Sequence, residues 1–234
     1  MGLALGGRAA RRLPAVAAAE RPVVYVIPID GVMDLGLAPF VQRTLTEAAE
    51  QQAAAVVLEI NTFGGRVDAA VLIRDALLRT PLRTIAFVNR RAISAGALIG
   101  LAATTIVMAE GGTLGAATPV AIGAPGGPAQ PVEEKTVSFL RKEFRATAEA
   151  GKRPPLIAEA MVDADVEVRE LSEKGKLLTL TTDEALEHDV AEFRADTLPA
   201  VLDAVGLGGA EIRRPQQSWA ETLVRILIHP GYEV

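Results

Sequence analysis

Residues 90–109 read RRAISAGALIGLAATTIVMA. From Ala92 to Ala109 there is no charge, only small and apolar residues with one serine and two threonines. A run of that length sits at the lower edge of what a membrane-spanning helix needs, about 17–25 residues. Gly96, Gly100, Thr104 and Thr105 make it only mildly hydrophobic, however, and TIVMA has the β-branched bias of a strand. The stretch reads as a buried helix running into a buried strand, not as a membrane span.

Working outward, the same rhythm recurs. VVYVIPI (23–29) is a β-branched strand in which Pro28 predicts a kink or a sheet edge. LAPFVQRTLTEAAEQQ (37–52) is helical, with Phe40, Val41, Leu45 and Ala48 at the 3.6-residue period. AAAVVLEI (53–60) is a strand, NTFGGRV a turn, and DAAVLIRDALLRT (68–80) a helix that Pro81 stops. LRTIAFV (82–88) leads back to the opening stretch. Alternating strands and helices predict an α/β fold with a mostly parallel, buried sheet. Residues 115–131 are a glycine- and proline-rich loop. VEEKTVSFLRKEFRATAEAG then resumes as a helix with Glu133 and Glu134 in its first turn. KLLTLT (176–181) is a late strand, followed by a short helix that Thr182 or Asp183 would cap.

Composition narrows the chemistry. The 234 residues suffice for a sizeable core, and only 4% are aromatic, so packing relies on aliphatic side chains. A net charge of −5 with interspersed signs gives no basic face for nucleic acid. There is no cysteine, and His188 and His229 lie far apart, which disfavours thiol chemistry and a histidine-built metal centre. The N-terminus places Arg8, Arg11 and Arg12 before LPAVAAA. It is either part of an export signal, with small residues near Ala17–Ala19, or a plain tail. At the other end, Trp219, Leu223, Ile226 and Leu227 share one helical face that could pack on the core, cover a partner or lead towards a membrane.

Two glycine-centred turns follow strands. In Asn61-Thr62-Phe63-Gly64-Gly65-Arg66 the glycines free the backbone to aim N–H groups at an oxyanion, a phosphate or a thioester carbonyl; a tight packing turn needs the same glycines. In Asn89-Arg90-Arg91-Ala92-Ile93-Ser94-Ala95-Gly96, a serine heads a helix. Ser94 is either a nucleophile awaiting a base or an N-cap. No histidine is well placed as that base. A lysine can serve once it sheds its proton, and the chain keeps only five lysines beside nineteen arginines (24 − 5). Lys135 and Lys142, seven apart on one helix face, cannot be separated by periodicity.

NTFGGRVDAAVLIRDAL, RRAISAGALIGLAA and GTLGAATPV together resemble the nodulation-efficiency (NfeD) family of membrane-associated serine proteases. That resemblance extends from about Pro22 to the end. It implies a Clp-protease/crotonase-like fold, related to signal peptide peptidase A. It further implies Ser94 as nucleophile and Lys135 as general base, with Gly65 and Ala95 in the oxyanion hole. Phe63, Gly64 and Gly96 would contact substrate, and neither metal nor cofactor is implied. The substrate would be an apolar segment of a stomatin- or prohibitin-like membrane protein, cut by a homodimer or larger homo-oligomer that is membrane-associated, with the domain outside the cytoplasm if the N-terminus is a signal. The chain departs from the family in having Phe63 where proline is usual and Lys152-Arg153-Pro154 where Arg-Asn is common. It stops at HPGYEV, where longer members continue into membrane helices, as expected of a short form or fragment.

The expected layout is thus a tail (1–21), a protease domain (22–212) and an amphipathic C-terminal segment (213–234). Two other functions compete: a crotonase-type acyl-CoA enzyme, and a non-catalytic scaffold of a membrane assembly in which Ser94 only caps its helix.

Overall fold

A computed structural model describes residues 21–119, 133–219 and 221–223. The N-terminal tail, most of the glycine/proline loop, Ile226 and Leu227 lie outside the described residues. The strands are β1 (Val23–Met33), β2 (Ala55–Gly65), β3 (Thr84–Ile93), β4 (Thr105–Met108), β5 (Thr113–Gly115), β6 (Thr179–Thr181), β7 (Phe193–Arg194) and β8 (Glu211–Arg213). The helices are α1 (Leu37–Glu50), α2 (Val67–Arg79), α3 (Ala95–Ala102), α4 (Glu134–Ala150), α5 (Pro155–Val162), α6 (Thr182–Glu187) and α7 (Leu198–Ala204).

The strands form one eight-stranded sheet in the order β6-β5-β3-β2-β1-β8, with β4 between β3 and β7. All pairs are parallel except β5–β6. Side chains alternate across it, and both faces are buried. Tyr25, Ile27, Leu58, Ile60 and Val88 point to the α1–α3 layer. Val24, Val26, Val57, Ile85 and Phe87 point to the α7 layer. Burial on both faces explains why the strands read as continuous apolar runs. The opening stretch resolves into α3, all eight residues of which are buried, and β4. Among the described residues no helix is long and apolar enough to cross a membrane.

Pro28 is exposed, and it follows the point where β8 stops pairing with β1 at Tyr25, so its missing N–H costs no ladder bond on that side. Two expectations need correction. The segment Asn61–Gly65, expected as a turn, continues β2: Gly64 and Gly65 pair with Val32 and Met33 after a register shift. The cap of α6 is Thr181, not Thr182 or Asp183, because Thr181 and Glu184 complete a reciprocal capping box. Thr182 instead donates its hydroxyl to the Ala109 carbonyl.

β3 divides the sheet. Ile85–Val88 pair with β4, whereas Arg91–Ile93 pair with β5. The strand thus leaves its first partner and carries the chain to a second edge just before Ser94. β2 also shifts register against β3 between Ile60 and Thr62. Irregularities at these strand ends re-aim the backbone where α3 begins.

Beyond β8 the chain is fastened to α1. Ser218 and Glu221 cap one another reciprocally, and Glu221 also receives a bidentate guanidinium from Arg43 at 2.9 Å on both oxygens. The Arg43 hydrogen bonds hold the Glu221 carboxyl at about 2, far below its ordinary 4.5. A depressed folded-state value means the clasp is at full strength above the ordinary carboxylate range and is lost as pH falls towards 2. Trp219, the single tryptophan, reports on it. Its fluorescence anisotropy is expected to hold from pH 7 to pH 4 and fall only below that. In Arg43→Gln the fall should move up to the ordinary carboxylate range; an unchanged midpoint would show that Arg43 does not control the clasp.

Candidate active site

Ser94 stands between β3 and α3 with φ +57° and ψ −121°. Such a conformation is unfavourable for a residue with a Cβ and costs on the order of 1–3 kcal/mol, which surrounding packing must offset. The capping reading fails here. Ser94 occupies the N-cap position, but its side chain makes no capping hydrogen bond, and its backbone is not in the extended region that capping residues use. The backbone is fixed instead: Ser94 N–H donates to Gly115 at 2.9 Å, and its carbonyl accepts from Ala97 at 2.9 Å.

The two glycine-containing segments interlock. A Cβ on Gly64 would lie 2.6 Å from Ser94 Cβ and 3.1 Å from Ser94 Oγ. One on Gly65 would lie 2.2 Å from the Met33 carbonyl oxygen, and one on Gly96 would lie 2.6 Å from Thr62 Cγ2. Gly64 and Gly65 also have φ of +109° and +156°. Gly65 is thus held against the Met33 backbone, whereas Gly64 and Gly96 make room for the side chains of Ser94 and Thr62. Gly64 and Gly96 are buried; of the residues expected to contact substrate, Phe63 is the one that is exposed, at 74%.

Thr62 ties this junction together. Buried to 1%, it accepts the Gly64 N–H at 2.9 Å and donates its hydroxyl to the Gly31 carbonyl. The Gly64 amide is thereby committed, whereas Gly65, the last residue of β2, is exposed. At the head of α3, Ala97 and Leu98 both donate to Ser94, so the Ala95 and Gly96 amides are those with no acceptor in the helix. Thr62 looked unremarkable in the sequence; its position two residues before Gly64 was the only signal.

The far end of α3 is held by Arg153, which is 3% exposed. Its guanidinium donates to the carbonyls of Leu101, Ala103 and Val190 and to Glu192 at 2.8 Å. Burial draws it below its ordinary value, and Glu192 partly offsets that. The sequence offered Arg153 only as a departure from the family pattern. Arg153 follows α4, which packs against α3, so its grip brings the segment after α4 to the C-terminal end of α3. α4 spans 17 residues, and its first turn holds Glu134 and Lys135.

Lys135 lies in that first turn, exposed and hydrogen-bonded to nothing among the described residues, Ser94 included. The other cations of α4 are committed. Lys142 Nζ is 2.8 Å from Glu159, Arg145 bonds Glu149 and Glu159, and Arg141 pairs with Asp163. Burial opposes ionisation of Glu159, but Lys142 and Arg145 outweigh it and hold the carboxyl below its ordinary value. The two lysines that periodicity leaves together thus differ in their surroundings: Lys142 is paired with Glu159, and Lys135 is exposed.

The chain matches the family described as "NfeD1b, N-terminal domain" over residues 23–215. It is 38% identical over 215 residues to Membrane protein NfeD1b of Bacillus subtilis (strain 168), covering 92% of this chain and 48% of that one. It is 28% identical over 183 residues to Membrane-bound protease PH1510 of Pyrococcus horikoshii, covering 77% and 39%. The chain thus spans half or less of the length of these curated relatives. Among solved structures, a lysine-to-alanine variant of the 1510-N membrane-bound stomatin-specific protease, in complex with a substrate peptide, superposes with a TM-score of 0.76 at 24% identity, covering 89% of this chain and 98% of that one. ClpP1 from Listeria monocytogenes superposes with a TM-score of 0.54 at 19% identity, covering 74% and 91%. The architecture is the Clp-protease-like one that the sequence led us to expect.

The Gly96–Thr62 contact makes a quantitative test. Gly96→Ala should destabilise the chain by about 1–3 kcal/mol in urea unfolding, since the new methyl overlaps Thr62 Cγ2. Thr62→Ser, which removes that methyl and keeps the hydroxyl, should recover at least half of the loss. Additive costs in the double variant would mean the two residues are not in contact.

Proposed function

The chain belongs to the NfeD1b N-terminal domain family, and from that membership we propose that it is a serine endopeptidase with Ser94 as nucleophile and Lys135 as general base. The observation that carries this reading is the state of Ser94. It is held in a strained conformation at the head of a buried helix, its hydroxyl is not used for capping, and two glycine-containing segments close around it. Strain of this kind persists where the surrounding structure over-determines it, as at catalytic sites. The relative's solved forms support the pairing. One replaces a serine and another, bound to a substrate peptide, replaces a lysine, and those positions are 41 residues apart. Ser94 and Lys135 are also 41 apart (135 − 94).

In the proposed reaction Ser94 Oγ attacks a peptide carbonyl while neutral Lys135 Nζ takes the hydroxyl proton. The oxyanion of the tetrahedral intermediate accepts hydrogen bonds from the Ala95 and Gly65 amides, the former at the positive end of α3. Collapse expels the amine, which receives its proton from Lys135. Water, deprotonated by Lys135, then releases the acyl group and regenerates Ser94. Lys135 is exposed in the free chain, so the water exclusion that a neutral lysine needs comes from the substrate lying across it. The substrate is an apolar segment of a stomatin- or prohibitin-like membrane protein, by analogy with the specificity that the relative's name states. The working form is a membrane-associated homo-oligomer, facing the extracytoplasmic side if the N-terminal segment is an export signal and the cytoplasm if it is not.

The test is cleavage of an apolar peptide from the C-terminal tail of a stomatin-like protein, followed by mass spectrometry. Ser94→Ala should abolish cleavage, and Lys135→Ala should lower kcat/KM by roughly 10²–10⁴-fold, the usual contribution of a general base. Lys142→Ala should stay within about tenfold of wild type, because Lys142 serves Glu159. Cleavage by Lys135→Ala at the wild-type rate would remove Lys135 from the mechanism.

A further inference from the structure

β3 places Asn89, Arg91 and Ile93 on one face. Near its start that face is covered by α7 through Ile85 and Phe87, but from Asn89 onward it opens into a groove of about 640 Å³. Phe63, Arg90, Glu110 and Thr113 complete its walls. Two wall residues adjoin the reacting groups directly: Phe63 precedes Gly64, which packs on Ser94, and Ile93 precedes Ser94 itself.

The charge in this groove is unbalanced. Among the described residues neither Arg90 nor Arg91 forms an ion pair, in a chain where most other arginines do. Glu110, the one carboxylate in the walls, is taken by Arg194 at 2.7 Å. Arg91 stacks its guanidinium 4.5 Å from the centre of the Phe63 ring. Stacking uses the flat face of the guanidinium and leaves the N–H edge for a planar anion. Asn89 Oδ1 is buried there without a donor.

We propose that this groove is a substrate subsite that selects an acidic side chain close to the scissile bond, with Arg91, presented on Phe63 and backed by Arg90, as the residue that reads it. The proposal rests on Ser94 being the nucleophile of a peptidase. An extended peptide lying past Gly65 alternates its side chains between the two faces, so one of them enters the groove. Phe63 packs on the aliphatic part of that side chain, and the Arg91 edge takes its carboxylate. The preferred substrate is thus an apolar segment that carries one Asp or Glu beside the cut, rather than a uniformly apolar one.

The experiment measures binding to the Ser94→Ala chain by fluorescence anisotropy. The probe is a labelled apolar peptide in which a single Glu is moved along the sequence, with a Gln counterpart at each place. At one place the Glu peptide should bind about tenfold more tightly than its Gln partner, and the preference should shrink as salt rises. In Ser94→Ala/Arg91→Gln the ratio should fall towards one; Arg91→Lys, which keeps the charge but not the planar stack, should retain part of it. Equal binding of Glu and Gln peptides at every place, no binding of any, or a preference that survives Arg91→Gln would overturn the proposal. So would a flat peptide series together with Arg-dependent binding to phosphatidylglycerol vesicles, which would make the groove a lipid contact. A Glu preference with no cleavage by wild type would keep the subsite and defeat the peptidase reading, so the two failures are distinguishable.

Discussion

The contact on which the rest of this structure depends is that between Gly64, at the end of β2, and Ser94, at the start of α3. A single added methyl at Gly64 would come within 2.6 Å of Ser94 Cβ. At that separation nothing but glycine fits, and nothing but a short side chain can stand opposite. Neighbouring contacts make the arrangement rigid. Gly96 seats α3 on Thr62, Thr62 holds the Gly64 amide, and Gly65 presses on the Met33 backbone. The strained φ of Ser94 is what remains when every neighbour is fixed in this way.

Energetically, the site borrows from the core. α3 contributes eight buried residues between β2, β3 and α4, and Arg153 satisfies the carbonyls at its far end. A helix so anchored cannot relax to release strain at its first residue. Packing and backbone strain therefore act at one place, the junction of β3 and α3 at Ser94.

Much of this was legible in the sequence. Continuous β-branched runs and the stripe of Phe40, Val41, Leu45 and Ala48 specify strands and a helix by burial alone, and the structure buries them as expected. Ser94, Gly64 and Gly65 stood out because a serine and paired glycines after strands are chemically conspicuous. What could not be read depends on distant partners. Lys135 and Lys142 share a helix face; only Glu159, 17 residues beyond Lys142, tells them apart. Arg153 looks like any charged turn residue until α3 and Glu192 surround it. The extension of β2 through Asn61–Gly65 was hidden because glycines signal a turn locally, whereas pairing with β1 decides the outcome. α5 and α7 are short and lack a clear period, so they went unassigned.

The central claim is that Ser94 is an activated nucleophile and not merely a residue at a helix start. Reaction of the folded chain with a fluorophosphonate probe, read as intact mass for wild type and Ser94→Ala, tests it most directly. The account predicts one adduct on wild type and none on Ser94→Ala. A folded wild-type chain that takes no adduct, or a Ser94→Ala chain labelled as readily as wild type, would contradict it.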